Sequence, residues 1–363
     1  MENHLPIRIS IPFVAGVGLA AWLASVGTSM GVLSLVVLSV ALLSLAGLVA
    51  GRRCDRILLP LMLFALGMFC LSARSADLLG GGFLDAAGNS GVGKKAITAV
   101  REMIVSAGFA HEETGPLLRA LMTGDRSGLD RGTVAAFRRS GASHLLALSG
   151  LHLGVIAVFL NALLSVLGNG RPARIVRSGL LVLFCAAYTI ACGASPSLVR
   201  ALLFIILQQF AAHCPGRRST SADRLCIAAT VQLALDPGSI TSPAFQLSYL
   251  AMLGIIVIAP RLQDWYPTTA LSYRFDPFFA VWKAAGLALS CQLTTAPLVW
   301  LRFGSLPRYF LLTNLFAMPV CEALLPVAIL TLLLGSPTLL VRLTDWLATL
   351  LLQILEIIAG LSS

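Results

Sequence analysis

The stretch Ser143–Asn161, SHLLALSGLHLGVIAVFLN, follows Gly141-Ala142 and continues as a run without acidic or basic residues other than histidine to Leu167. A bilayer crossing takes about 20 mostly apolar residues in a helix. This run therefore reads as a membrane span, Ser143–Leu167. Ser149, Gly150, His152, Gly154 and Asn161 lie inside it. Polar groups at membrane depth gain nothing from lipid, so they are expected to face protein or a water-filled path. Two further polar runs stand just upstream, Thr123-Gly124-Asp125-Arg126-Ser127-Gly128-Leu129 and Ala136-Phe137-Arg138-Arg139-Ser140. The remainder of the chain reads as a bundle built around this segment.

Composition supports that reading. Of 363 residues, 57% are hydrophobic and 12% charged, against about 25% charged in a soluble domain. The net charge of +10 would suggest nucleic acid in a soluble protein. In a membrane protein it is tested first against the basic excess of cytoplasmic loops. Eight cysteines form no C-x-x-C and no zinc-site spacing. Most sit in apolar runs, where cysteine packs as a small hydrophobe. There is no G-x-x-x-x-G-K-[ST] and no G-x-G-x-x-G after a strand. No metal, cofactor or catalytic residue is expected. Ser149 and His152, three apart on one helix face, raise an intramembrane hydrolase, but no G-x-S-x-G elbow or third group accompanies them. His144 and His152 lack further ligands at metal-site spacing.

The pattern predicts an all-α polytopic membrane protein with about eleven transmembrane helices of roughly 20 residues. The expected spans are Ile11–Val26, Met30–Ala50, Ile57–Ser72, Ser143–Leu167, Val176–Cys192, Pro196–Ala212, Leu225–Leu235, Phe245–Ile258, Phe278–Leu301, Tyr309–Leu334 and Pro337–Ala359. Leu225–Leu235 and Phe245–Ile258 are short, which predicts broken or re-entrant helices. Arg74–Ser140 interrupts the series. It begins with a Gly80-Gly81-Gly82 linker running to Gly93. Short helices follow over Lys94–Ala107, Gly115–Met122 and Gly132–Arg139. The first carries apolar residues at Ile97, Val100, Ile104 and Ala107, spacing suited to lying on a membrane surface or on the bundle.

Loop charge gives an orientation. With the N-terminus in the cytoplasm, the cytoplasmic loops hold Arg52, Arg53, Arg56, Arg171, Arg174, Arg177, Arg217, Arg218, Arg224, Arg261, Arg274 and Arg342. That is the expected basic excess, and it places Arg74–Ser140 outside. Arg119, Arg126, Arg131, Arg138, Arg139, Arg200, Arg302 and Arg308 fall on the outer side, where topology does not call for them. Of these, Arg126, Arg138, Arg139 and Arg200 are candidate phosphate-binding residues at an entrance. For Asp125 and Arg126 the alternative is a cap-and-turn with a salt bridge. Glutamines inside spans, among them Gln246 and Gln292, read as interhelical hydrogen-bonding groups or as path-lining groups. Asn314 and Glu322 lie near Pro319 and Pro326, where a broken helix would line a cavity or pore.

The run Leu121–Leu129 together with Phe137–His152 (FRRSGASHLLALSGLH) resembles the competence family of bacterial DNA-uptake channels, the ComEC/Rec2 type. Gly193–Ala201, Phe245–Gly254 and Thr295-Ala296-Pro297 with Phe303-Gly304 and Asn314-Leu315 match it in order. The resemblance implies an inner-membrane channel that carries one DNA strand into the cytoplasm during natural transformation. A periplasmic DNA receptor, a separate nuclease and a cytoplasmic DNA translocase are the implied partners, beside single-stranded DNA and the lipid bilayer. Residues 1–73 form an N-terminal three-helix membrane region, 74–115 an extracytoplasmic linker with an amphipathic helix, and 116–363 the competence domain. The OB-like and metallo-β-lactamase-like domains common in the family are not expected in this chain. Arg126, Arg138, Arg139 and Arg200 would form the DNA entrance. His144, Ser149, His152, Gln246, Gln292, Asn314 and Glu322 would line the channel. A small-solute or lipid transporter on the same bundle, and a membrane scaffold for a separate partner, are the alternatives.

Overall fold

The computed structural model describes residues 5–49, 55–76, 91–146, 148–168, 170–213, 220–266 and 277–361. The expected Gly80–Gly82 linker and the loop arginines Arg52, Arg53, Arg217, Arg218 and Arg274 lie outside the described residues. Among those described the chain is helical throughout, with no strand. The helices are α1 (Leu5–Ser25), α2 (Met30–Val49), α3 (Asp55–Ser75), α4 (Gly91–Ser106), α5 (Thr114–Thr123), α6 (Arg131–Arg139), α7 (Ser143–Leu146) and α8 (Gly150–Leu164). There follow α9 (Arg171–Ala191), α10 (Pro196–His213), α11 (Ser221–Leu235), α12 (Pro243–Val257), α13 (Ala259–Asp264), α14 (Pro277–Phe303), α15 (Phe310–Leu333) and α16 (Thr338–Gly360).

Nine helices among the described residues are long and apolar enough to cross a membrane, and α2 adds a shorter apolar one over Met30–Ala46. The chain is thus a multi-pass membrane protein. The span expected at Phe245–Ile258 is lengthened to Pro243–Asp264, because α12 runs on into α13. Helix α11 has 15 residues and stays short. The span expected as one run over Ser143–Leu167 is two helices. Leu148 and Ser149 are not helical, and the crossing helix begins at Gly150. The local mark of this break is Ser149-Gly150, since serine is a favoured N-cap residue, but the apolar run on either side masks it.

The contacts divide the chain into two compact units, one of residues 1–89 and 206–249, the other of 90–205 and 250–363. In the first, α3 packs against both α1 and α2, and α11 packs against α1. Phe13, Val17, Ala20, Ala65, Met68, Leu71 and Leu233 form its core. Helices α1 and α3 touch through Gly16 and Gly67. A Cβ at Gly16 would collide with the Phe64 carbonyl, and one at Gly67 with the Phe13 carbonyl. Small residues admit this backbone approach, which lipid does not otherwise drive. A 3₁₀ turn, Pro237–Thr241, links α11 to α12. Asp236 there accepts from the Ser239 hydroxyl at 2.5 Å and pairs with Arg74 at 3.6 Å.

The second unit holds the most completely buried side chains. Ile104, Leu117, Leu118, Leu121, Phe137 and Leu145 from the short helices meet Leu324, Leu325 and Leu351 from the α15–α16 hairpin. The short helices are therefore a packed layer on the bundle rather than a surface decoration. The sequence explains this: α5 (TGPLLRALMT) has apolar side chains on most of its circumference, and a helix apolar nearly all round must be covered. Helix α5 packs on α15 and α16, α6 on α16, and α4 on α9. Helix α15 contains a π turn, Thr313–Ala317, just before Pro319, and Pro326 lies inside it. Proline removes a backbone donor and crowds the preceding turn, and a π turn absorbs that crowding. The Thr313 hydroxyl in this turn donates to the Ser140 carbonyl at the end of α6, 2.5 Å away.

Candidate functional site

The site is built from the end of α5. Gly124 closes the helix in the left-handed conformation, φ 76°, and its backbone N–H donates to the Ala120 carbonyl. Glycine adopts that conformation without the Cβ penalty. Asp125 then accepts from the backbone N–H of Ser127 at 3.1 Å and from its hydroxyl at 2.7 Å. Arg101 of α4 pairs with the same carboxylate at 3.1 Å. The two Ser127 hydrogen bonds, with Arg101 and Arg119 nearby, hold the Asp125 carboxyl below the usual carboxylate range. The expected cap-and-turn is thus present at Asp125, with Arg101 as the ionic partner in place of Arg126.

Arg126 reaches elsewhere. Its Nε donates to the Leu146 carbonyl at 3.1 Å. Leu146 is the last residue of α7, and a helix end leaves carbonyls without intrahelical partners. Arg126 serves one of them, so this arginine staples the broken helix while the residue as a whole remains exposed. The Leu148 side chain packs where a Cβ on Gly124 would stand. The break and the α5 cap are one packed unit. From α9, the Tyr188 hydroxyl donates to the Met122 carbonyl at 2.9 Å and anchors the same turn.

Beyond the break, Ser149 is the residue before the first turn of α8 rather than a member of it, with extended φ and ψ. It therefore does not share a helix face with His152. Instead the Ser149 backbone N–H points at His152 Nδ1, a long contact of 3.5 Å. The imidazole is folded back over the start of α8 and is 1% exposed. With Nδ1 accepting, the tautomer carries its hydrogen on Nε2, and that atom is buried with no partner among the described residues. A nucleophilic Ser–His pair would need the serine hydroxyl on the ring, and no such bond exists among the described residues.

Arg200, one turn into α10, lies across the first residue of α8. A Cβ on Gly150 would stand 2.5 Å from its guanidinium, 3.2 Å from the Ala201 Cβ and 3.4 Å from the Ser197 carbonyl. A side chain at position 150 would displace the flexible end of Arg200 and press on Ala201. Arg200, Ser149 and His152 are thereby brought to the same end of α8.

Arg138 and Arg139 end α6 and are exposed, as is His144 on α7, whose Nδ1 lies 3.1 Å from the Gly141 carbonyl. Gln292 on α14 and Asn314 in the π turn are half-buried, and the Asn314 Oδ1 has no partner among the described residues. Glu322 is exposed on α15, with no ion pair among the described residues. Gln246 belongs to the other unit. Its Nε2 donates to the Ile240 carbonyl at 2.8 Å, beside a Tyr249 hydroxyl bond to Gln232 at 3.0 Å, the helix-bundle role that glutamines commonly fill. No group of three or more His, Cys, Asp or Glu able to hold a metal occurs among the described residues.

Two residues, Gly150 and Asp345, were given no role from the sequence. Gly150 sits in the quoted run, but the reason for its size lies on another helix. Asp345, 7% exposed inside α16, accepts from the Ala110 backbone N–H at 2.8 Å. A carboxylate inside the span TLLVRLTDWLATLL was the available signal, since charge at membrane depth is costly unless served.

Fold and site define a polytopic helical membrane protein in which a non-helical break, held by Arg126, precedes the crossing helix that begins at Gly150. The family model described as "Competence protein" matches residues 121–363, and the chain belongs to that competence family. ComE operon protein 3 of Bacillus subtilis (strain 168) is 31% identical over 153 residues, which are 42% of this chain and 19% of that protein. The alignment thus spans about a fifth of the length of the curated relative. No solved structure matches.

Proposed function

We propose that this protein is the channel through which one strand of DNA crosses the bacterial inner membrane during natural transformation, with its N-terminus in the cytoplasm. The observation that carries this reading is the competence family match over residues 121–363. That range takes in the exposed Arg138–Arg139 pair, the arginine-stapled break and the α15 π turn. Arg138 and Arg139 collect backbone phosphates at the outer mouth, where such contacts are strong at low salt and weaken as counterions compete. Arg126 adds its exposed guanidinium while holding the break. His144, Ser149, His152, Gln292, Asn314 and Glu322 line or gate the path. The chain acts without catalysis of its own. A separate periplasmic DNA receptor, a separate nuclease and a cytoplasmic DNA translocase serve it.

The test is transformation frequency in a competent native host after deletion of this gene and complementation. The expected result is a loss of several orders of magnitude, with DNA still reaching the periplasm, restored by the wild-type gene. Complementation with Arg138→Ala/Arg139→Ala should restore membrane insertion but only part of the uptake. Wild-type transformation in the deletion strain would remove the DNA reading and leave the small-solute or lipid transporter.

A further inference from the structure

The turn between α14 and α15, Arg302-Phe303-Gly304-Ser305-Leu306-Pro307-Arg308, is tied down along its length. Gly304 closes α14 in the left-handed conformation, φ 65°, and its N–H donates to the Trp300 carbonyl at 2.9 Å. Pro307 packs on the turn between α6 and α7, where a Cβ on Gly141 would stand 2.6 Å from the Pro307 Cβ. The Tyr309 hydroxyl donates to the Leu361 carbonyl at 2.6 Å, and the Thr313 hydroxyl holds the Ser140 carbonyl. The exposed Arg302 and Arg308 are therefore carried on the same support as the exposed Arg138 and Arg139. None of the four is in an ion pair among the described residues. Both segments are free of acids, since no aspartate or glutamate stands between Asp130 and Asp223 or between Asp276 and Glu322. Phe303, next to Arg302, is 60% exposed. A belt residue at the membrane surface would account for one ring and one snorkelling arginine. It does not call for a second arginine pair docked beside them from another segment.

We propose that this turn is the arm of the entrance that selects an unpaired strand: Arg302 and Arg308 extend the phosphate track of Arg138 and Arg139, and Phe303 stacks on a base. The ligand is taken from the DNA reading above; selection of its single-stranded form is what the turn adds. Arginines act on any phosphate backbone, so they draw single strands and duplexes alike. The ring separates the two. Each base of a single strand has a face to offer to an aromatic side chain, whatever the sequence. In a duplex those faces are covered by the neighbouring bases. The ties at Gly304, Pro307, Tyr309 and Thr313 hold the arm in place before the strand arrives, so less ordering is left to be done on binding.

The experiment uses the purified full chain in phosphatidylcholine nanodiscs. Anisotropy is measured with three labelled probes of equal length: an oligothymidylate, an abasic oligomer with the same backbone, and a blunt duplex. The variants are Phe303→Leu, Phe303→Trp, Arg302→Gln/Arg308→Gln and Arg138→Ala/Arg139→Ala, with thermal midpoints to confirm folding. Phe303→Leu keeps an apolar side chain for the bilayer and removes only the ring. It should weaken oligothymidylate binding about fivefold or more, the scale of one stacked base, and leave the abasic oligomer and the duplex as in wild type. Phe303→Trp should retain the affinity. Arg302→Gln/Arg308→Gln should weaken all three probes severalfold and flatten the salt dependence. The wild type should prefer oligothymidylate to the abasic oligomer; equal binding overturns the stacking without recourse to any variant. Wild-type affinity for oligothymidylate in Phe303→Leu overturns it too and leaves the ring to the bilayer, while weakened binding in the Arg138/Arg139 variant keeps the channel reading intact. Equal losses on all three probes in Phe303→Leu show a merely structural ring and overturn the arm. Unchanged binding in Arg302→Gln/Arg308→Gln overturns the extended phosphate track. Absence of binding by any form overturns the arm as well, and gene deletion then judges the channel reading separately.

Discussion

Arg126→Ala isolates the staple on the broken helix. In the wild type the Arg126 Nε donates to the Leu146 carbonyl at 3.1 Å, a hydrogen bond with a charged donor. Such bonds contribute about 1.5–3 kcal/mol when shielded. Arg126 is exposed, so water replaces part of the interaction on truncation, and about 1 kcal/mol is the expected loss. At about 1.4 kcal/mol per factor of ten, local opening of the break becomes roughly fivefold more frequent. Amide hydrogen exchange of the protein in nanodiscs reads this directly. Peptides covering Gly141–Leu153 should exchange about fivefold faster, while those covering α16 keep their wild-type rates. Arg126→Lys should fall between, since an ammonium has the charge without the fork. Unchanged exchange in Gly141–Leu153 for Arg126→Ala, with uptake reduced as far as in the Arg138/Arg139 variant, would refute the staple and return Arg126 to phosphate binding alone.

Asp345→Ala should destabilise the second unit by about 1–3 kcal/mol by stripping the Ala110 N–H of its acceptor, whereas Asp345→Asn, which keeps an accepting oxygen, should stay close to wild type in chemical unfolding. Gly67→Val should lower the thermal midpoint more than any exposed substitution on α2, because its side chain meets the Phe13 carbonyl and overpacking costs about 1–3 kcal/mol or more. The Asp125 carboxyl is held below its unfolded value by Ser127 and Arg101. Its contribution is therefore present above the unfolded carboxylate pKa of about 3.9 and lost as pH falls through the lower folded value. Asp125→Asn should flatten that acid limb of the stability profile, and an unaltered limb would count against the pairing.

Much of the architecture is legible in the sequence, because length and apolarity decide what crosses a bilayer. The short helices are also readable: Gly115–Met122 and Gly132–Arg139 are observed as Thr114–Thr123 and Arg131–Arg139. What covers them is not readable. The pattern shows that α5 has apolar faces to bury but not that Leu324 and Leu351 bury them. The break after Leu146 is hidden for a related reason. Apolar residues flank Ser149-Gly150 on both sides there, and the groups that sustain the break, Arg126 and Leu148 on Gly124, are joined by tertiary contact. Ser149 and His152 illustrate the consequence. A spacing of three implies a shared face only where the helix is continuous, and α8 starts one residue too late for that. Arg200 was visible as a charge out of place, but its meeting with Gly150 lies across two helices fifty residues apart in the chain, at about that separation in sequence.

Whether DNA passes through this protein is tested most directly by photocrosslinking during uptake. A photoreactive residue at Glu322, exposed on α15, is compared with one at Leu43, 73% exposed on the apolar helix α2. In competent cells given labelled DNA, the channel account predicts covalent DNA adducts from position 322, dependent on uptake and restricted to one strand, and none from position 43. Adducts from neither position, or equally from both, would contradict it.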